Sequence, residues 1–260
     1  MLDMKKIIVL LILTSLFTGC GMLPEEIDET KDWPPSRLYS EGKAAMQEED
    51  YELALALFGA IESRYPYGRY AQQAQMETAF TYYKYEEPEA AVAACDRFIR
   101  LHPRHPNVDY MYYLKGLVNF ERDRGFLDRY LPQDPTHRDP GSARQSFYDF
   151  AELVRKFPNS KYSKDAIARM RYLRNNLAQY EVNVADYYIR RGAYVAAVNR
   201  AKYVVENFPN TPARDNALGI MALGYKILNM DDLSSDALRV LTKNNPDHPA
   251  IEEVINFKFQ

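Results

Sequence analysis

The sequence predicts an all-α protein, an α-solenoid of five tetratricopeptide-like helix pairs, and three observations predict it. A helix-terminal phrase recurs five times: IESRYP ending at Pro66, FIRLHP at Pro103, LVRKFP at Pro158, VVENFP at Pro209 and LTKNNP at Pro246. The intervals between these prolines are 37, 55, 51 and 37 residues, which fits a unit of about 34 to 37 residues with insertions in the third and fourth units. Small residues return at fixed offsets before each proline. The prolines themselves, fifteen in all, fall between apolar helical runs, as residues that cannot continue a helix must.

The N-terminus is read separately from the repeats. Lys5 and Lys6 precede an apolar or small stretch from Ile7 to Thr18, so residues 1–19 read as a secretory signal, too short for a membrane span of about 20 residues. Leu16-Phe17-Thr18-Gly19-Cys20 resembles a lipobox, which makes Cys20 the expected site of lipidation and the first residue of the mature chain. Several acyl chains there make a firm anchor. Gly21, by resemblance to lipoproteins of two-membrane bacteria, implies transfer to the outer membrane with the body in the periplasm. Residues 20–35 are acidic and proline-bearing and read as a flexible tether.

Counting each terminal proline as residue 32 of a unit aligns the repeats. Gly42, Ala54 and Phe58 occupy positions eight, twenty and twenty-four of the first; Ala79, Ala91 and Cys95 those of the second; Ala185, Ala197 and Ala201 those of the fourth. In the fifth, Ala222 and Leu238 match while Ser234 replaces Ala, which reads as a degraded terminal copy. The third unit is interrupted. Its first helix, about Val108 to Asp123, carries Gly116, its second, about Gly141 to Phe157, carries Ser146 and Phe150, and residues 124–140 form a proline-rich loop expected to be exposed. The fourth unit has a long first helix, Ser163 to Arg190, able to connect two halves. Residues 36–158 then make an N-terminal half, 159–246 a C-terminal half, and 247–260 a tail whose structure the pattern leaves open.

Composition excludes several functions. With 47% apolar residues the chain has enough to bury a core, and a net charge of -3 provides no field for nucleic acid phosphates. His102, His105, His137 and His248 sit beside prolines in connections and read as solvated loop residues, so neither a metal site nor a catalytic role is expected. Cys95 reads as core. There is no glycine-rich phosphate loop, no G-x-S-x-G and no H-E-x-x-H, so no cofactor is expected. Glu62-Ser63 echoes the Glu-Ser of lytic transglycosylases, but the accompanying Gly-Leu-Met-Gln segment is missing.

What remains is recognition. In this repeat type the first helix of each pair lines a groove for extended peptide, and the corresponding positions hold Tyr39, Lys43, Met76, Phe80, Tyr83, Tyr110, Tyr113, Leu117 and Phe120. Aromatic walls grip an extended ligand with little loss of side-chain entropy. The Lys, Asn and Arg set that clamps acidic chaperone tails is not present.

Four segments, RYPYGRYAQQAQ, DRFIRLHPRHPNVDYMYYLKGL, HRDPGSARQSFYDFAELVRKFPNSKYSKDA and YEVNVADYYIRRGAYVAAVNR, together with their order and the inserted loop, resemble the BamD family. These are lipoproteins of the complex that inserts β-barrel proteins into the outer membrane. The resemblance implies a non-enzymatic scaffold that holds the POTRA region of BamA with its C-terminal repeats and receives unfolded β-barrel outer-membrane proteins in its N-terminal groove. It implies Arg200 as a contact to the POTRA partner, with Arg191 a weaker candidate, and BamC and BamE type lipoproteins as accessory partners of some members. A secretin pilotin shares the fold class and is the alternative, but would lack the interrupted third unit and the HRDPGSARQSF segment.

Overall fold

The computed structural model describes residues 28–122 and 134–257. The signal, Cys20, most of the tether, loop residues 123–133 and the last three residues lie outside the described residues. Within them the chain is helical, with no strand. Five pairs follow in order: α1 (Pro35–Gln47) with α2 (Tyr51–Arg64), α3 (Arg69–Lys84) with α4 (Pro88–Leu101), α5 (Val108–Glu121) with α6 (Gly141–Lys156), α7 (Ser163–Arg190) with α8 (Tyr194–Asn207), and α9 (Ala213–Ile227) with α10 (Asp231–Asn244). Each helix packs on the next, which is solenoid stacking.

The second helix of every pair ends two residues before its proline, for one reason. A residue that precedes proline is driven out of the α region by the ring. Tyr65, His102, Phe157, Phe208 and Asn245 accordingly leave the helix at φ between -126° and -148°. Each still donates its N–H to the carbonyl four residues back, at 2.8 Å. The first helices end differently. Glu49, Glu86, Gly192 and Asn229 adopt left-handed φ of 63°, 60°, 75° and 57°. The next N–H then reaches back over the helix end, as Asp50 does to Ala45 and Ala193 to Tyr188, both at 2.9 Å, closing a Schellman turn.

The third pair is interrupted where that turn would stand, and a polar network links its helices instead. The buried Asp149 of α6 accepts from Asn119 Nδ2 at 2.7 Å and Gln145 Nε2 at 3.1 Å. Lys115 Nζ lies 3.5 Å from Asp149 and 2.9 Å from Asp96. Burial pushes the Asp149 carboxyl up despite these donors. Loop residues 134–140 return onto the body rather than standing clear of it. Pro135–His137 forms a short 3-10 turn whose buried Thr136 receives Asn183 Nδ2 of α7 on its hydroxyl at 3.0 Å.

Positions eight and twenty-four explain the close helix pairs. A Cβ on Gly42 would lie 2.7 Å from Phe58, and one on Gly116 would lie 2.5 Å from Phe150. Where position twenty-four is small, as at Cys95 and Ala201, position eight carries the methyl of Ala79 or Ala185 instead. Position twenty tolerates serine because its hydroxyl has a partner. Ser146 Oγ donates to the Gly116 carbonyl at 2.9 Å and Ser234 Oγ to that of Ala222 at 2.8 Å. Ser234 is therefore a satisfied variant of the repeat, which corrects its reading as degradation.

The 28-residue α7 has the bounds expected of it and belongs to two cores. Its Ala166 and Leu173 pack with Tyr112, Phe150 and Leu153 of the third pair, while Ala178, Val182 and Ala185 pack with Ala201, Val204 and Ala217 further on. The tail forms a short helix, α11 (Pro249–Ile255), that packs on α9 and sets Val254 against Ala222 and Ala237. It caps the last pair. At the other end, residues 28–34, expected within the flexible tether, are bound to the first pair. Arg64 pairs with Asp28 and donates to the Thr30 carbonyl at 2.6 Å, and the Tyr65 hydroxyl donates to the Trp33 carbonyl at 3.0 Å.

Gly116→Ala is expected to lower stability by about 1–3 kcal/mol through overpacking against a ring that has no room to move. Urea midpoints measure it, and Gly116→Ala combined with Phe150→Leu should recover part of the loss. An unchanged midpoint in the single variant would contradict the close-approach account.

Candidate functional site

The first helices of the first three pairs bring the nine predicted groove residues onto neighbouring elements, since α1 packs on α3 and α3 on α5. All nine are half-buried. Tyr39 packs at the rim of the first core, Met76, Phe80, Tyr83 and Tyr110 at the second, and Tyr113, Leu117 and Phe120 at the third. The face is therefore both wall and inter-repeat seam.

Hydroxyl-to-carboxylate bonds fix the tyrosines. Tyr39 donates to Glu77 at 3.0 Å, and Lys43 pairs with the same carboxylate at 2.9 Å. Tyr83 donates to Glu121 at 2.6 Å and Tyr113 to Asp165 at 2.7 Å. In each case the donor lies on one first helix and the acceptor on the next. Burial, then the Glu77 charge, pushes the Tyr39 phenol up to about 12. Burial and Glu121 raise Tyr83, and burial raises Tyr110. These phenols stay protonated donors at neutral pH. Arg169 completes the row, donating to Asp165 at 2.6 Å and lying 4.7 Å from the Phe120 ring centre. Burial works to raise Asp165, but the Tyr113 and Arg169 bonds outweigh it and hold the carboxyl below its usual range. Tyr113 also stacks on Tyr162 at 4.7 Å, and Phe120 meets Tyr172 at 5.9 Å.

The other candidates fall elsewhere. Arg200 is half exposed and donates to Glu181 at 2.8 Å, whose side chain is only 6% exposed. It already balances a buried carboxylate of its own chain. Arg191 is exposed and lies over Tyr187 at 5.4 Å. Glu62 pairs with Arg97 at 2.9 Å within the repeat scaffold. Cys95 is fully buried, and its thiol is pushed up by burial. Among the described residues no group of three or more His, Cys, Asp or Glu could hold a metal, and no helix is long and apolar enough to cross a membrane. His102 and His105 are not merely solvated. Both pack on Phe98, at 5.0 and 5.2 Å, and His102 bonds Gln75 at 2.9 Å.

The comparisons with known proteins bear on this geometry. The family described as "YfiO: Outer membrane lipoprotein" matches residues 31–241. The chain belongs to this family. Among its relatives, "Outer membrane protein assembly factor BamD" of Neisseria meningitidis serogroup B is 43% identical, covering 96% of this chain and 95% of that one. The protein of the same name from Vibrio cholerae is 36% identical over 91% of this chain and 96% of that one. Among solved structures, that of MamA covers 87% of this chain and 96% of its own, at 12% identity and a TM-score of 0.38.

Within this BamD-family chain, the sequence pattern does not single out Glu77, Asp165 and Arg169. Glu77 falls between two groove positions, and Asp165 and Arg169 lie on the N-terminal half of the lengthened α7, for which the repeat has no numbering. For Glu77 the usable signal is a carboxylate within one turn of a groove position on the following first helix; Asp165 and Arg169 carry no such signal.

Two outcomes test the site's electrostatics. Arg200→Glu should destabilise the chain by about 1–2 kcal/mol, a buried-pair cost reduced by the exposure of the arginine, and adding Glu181→Gln should restore most of it in a double-mutant cycle. Burial, with His102 nearby, holds the His105 pKa below its ordinary value, and its Nδ1 accepts the Asn107 N–H at 3.1 Å. The folded state then resists protonation more than the unfolded state. Stability should be full above the ordinary histidine pKa and fall as pH drops below it. The drop between neutral pH and pH 5 should be smaller in His105→Gln, measured by urea unfolding.

Proposed function

We propose that the chain is a non-enzymatic, lipid-anchored scaffold of the machinery that assembles β-barrel proteins into the outer membrane. It sits on the periplasmic face through lipid on Cys20. Its N-terminal repeats receive unfolded β-barrel outer-membrane proteins, and its C-terminal repeats hold the POTRA region of BamA, with BamC and BamE type lipoproteins as further partners. One observation carries the reading. In a family whose relatives are named outer membrane protein assembly factors, the aromatic row of the first three repeats is held in place by bonds from Tyr39, Tyr83 and Tyr113 to carboxylates of the next repeat. A wall whose side chains are fixed before binding loses little entropy when an extended chain lies along it. Half-buried rings suit a segment whose apolar side chains have not yet found a barrel.

Replacing Tyr83, Tyr113 and Phe120 together with Ala should remove most photo-crosslinking to an unfolded β-barrel precursor while the chain still copurifies with BamA. The pair Tyr83→Phe and Tyr113→Phe keeps the rings and should retain crosslinking, separating ring contact from the inter-repeat bond. Crosslinking by the Ala variant equal to wild type would reject the groove assignment. For the other half, Arg200→Glu paired with Glu181→Gln should release BamA without unfolding the fourth repeat, and full retention would clear Arg200 of that role.

A further inference from the structure

At one edge of the first repeat, peptide binding leaves a group of side chains unused. The strap at residues 28–34 is bound to Arg64 and Tyr65, where the turn Tyr65–Arg69 that joins the first pair to the second begins. Arg64 binds the strap through Asp28, the Thr30 carbonyl and the Thr30 hydroxyl, and Tyr65 holds the Trp33 carbonyl. The Arg37 guanidinium lies 3.9 Å from the centre of the Trp33 ring. In the middle of the turn, Tyr67 is 92% exposed, the most exposed large apolar or aromatic side chain among the described residues. Pro66 stands on one side of it and Gly68 on the other, at φ 104°. Exposed Arg69 lies 4.9 Å from the Tyr70 ring centre and donates to its hydroxyl at 3.3 Å.

We propose that this edge, Trp33 with the turn carrying Tyr67 and Arg69, is a contact surface for the headgroup region of a phospholipid bilayer and seats the first repeat against the membrane. This rests on the reading of Cys20 as the lipid anchor. A single exposed tyrosine is ordinary on a protein surface; its position relative to the anchor is what gives this one meaning. Only eight residue steps separate Cys20 from Asp28. Fully extended they span about 29 Å, and as a flexible chain about 16 Å. Because Arg64 clamps Asp28, the short leash ends at this turn, and the turn stays at high local concentration over the bilayer whatever else the solenoid does.

The chemistry fits that surface. Tyr and Trp partition to the headgroup level, where the ring is in apolar surroundings and the polar end is wet, and arginine stems reach outward to phosphate. The charges narrow the occupant further. Exposed Lys31, Arg37 and Arg69 are nearly balanced in number by exposed Glu29 and Asp32, while Arg64 and Asp28 offset each other. With so little net positive charge, binding depends on interfacial partition of the rings more than on anionic lipid.

Trp33 is the only tryptophan of the chain and reports directly. The lipidated full-length protein is placed on vesicles of phosphatidylethanolamine and phosphatidylglycerol, with part of the lipid brominated at the headgroup end of the acyl chain. Flotation reads the anchor and Trp33 emission reads the contact. The wild type should float and lose most of its Trp33 emission, with little change when the phosphatidylglycerol fraction is lowered. Tyr67→Asp with Arg69→Glu, both at exposed positions, should float equally while most of the emission returns. A wild type that floats with unquenched Trp33 overturns the proposal, as does quenching that survives in the double variant. A chain that fails to float refutes the anchor and the proposal together, an outcome distinct from the first two.

Discussion

How closely the two helices of each pair approach is the constraint on which the rest of the molecule depends. A glycine at position eight admits a phenylalanine at position twenty-four, and an alanine there stands opposite the smaller cysteine, alanine or leucine, so the pairs vary in side-chain size while keeping one geometry. That shared geometry sets every first helix at a similar place relative to its neighbours. Only then can a tyrosine of one repeat reach a carboxylate of the next. The inter-repeat bonds of Tyr39, Tyr83 and Tyr113 are a consequence of backbone packing set one turn away on the same helix, by Gly42, Ala79 and Gly116.

Those bonds give the candidate site its character. Each hydroxyl would be costly to leave unpartnered in a half-buried seam, and each carboxylate would repel its neighbours without a donor. Joined, they hold rings at the surface that would otherwise fold into the nearest core. The same residues serve stability and recognition, so removing a whole side chain confounds the two, while tyrosine-to-phenylalanine exchanges separate them.

The middle of the chain solves a different problem. With its hairpin interrupted, the third pair is braced by Lys115, Asn119 and Gln145 around the buried Asp149, and by α7, which enters both its core and the next. A continuous helix without Pro or Gly transmits the orientation of one half to the other more rigidly than a turn does. The return of Thr136 onto Asn183 adds a second connection to the same helix. The part of the chain between the two halves is thus one of its most tied-down regions.

Periodicity carried much of this in the sequence. Proline acts through local sterics on the residue before it, so helix ends were legible from the five recurring phrases, and small residues at positions eight and twenty marked the packed faces. The helical tail was not legible, because Pro249–Ile255 is only seven residues long and is held by contact with α9, where Val254 meets Ala222, rather than by propensity. The docking of residues 28–34 was hidden too, since its acidic, proline-bearing composition is that of a linker until Arg64, thirty-four residues beyond Thr30, arrives beside it. Sequence alone determined the fold class, the repeat boundaries and which helices carry the aromatic row. Tertiary structure decided which carboxylate each tyrosine meets, that Arg200 is already paired with Glu181, and where the strap lies, because each of those depends on groups that stacking brings together across many residues.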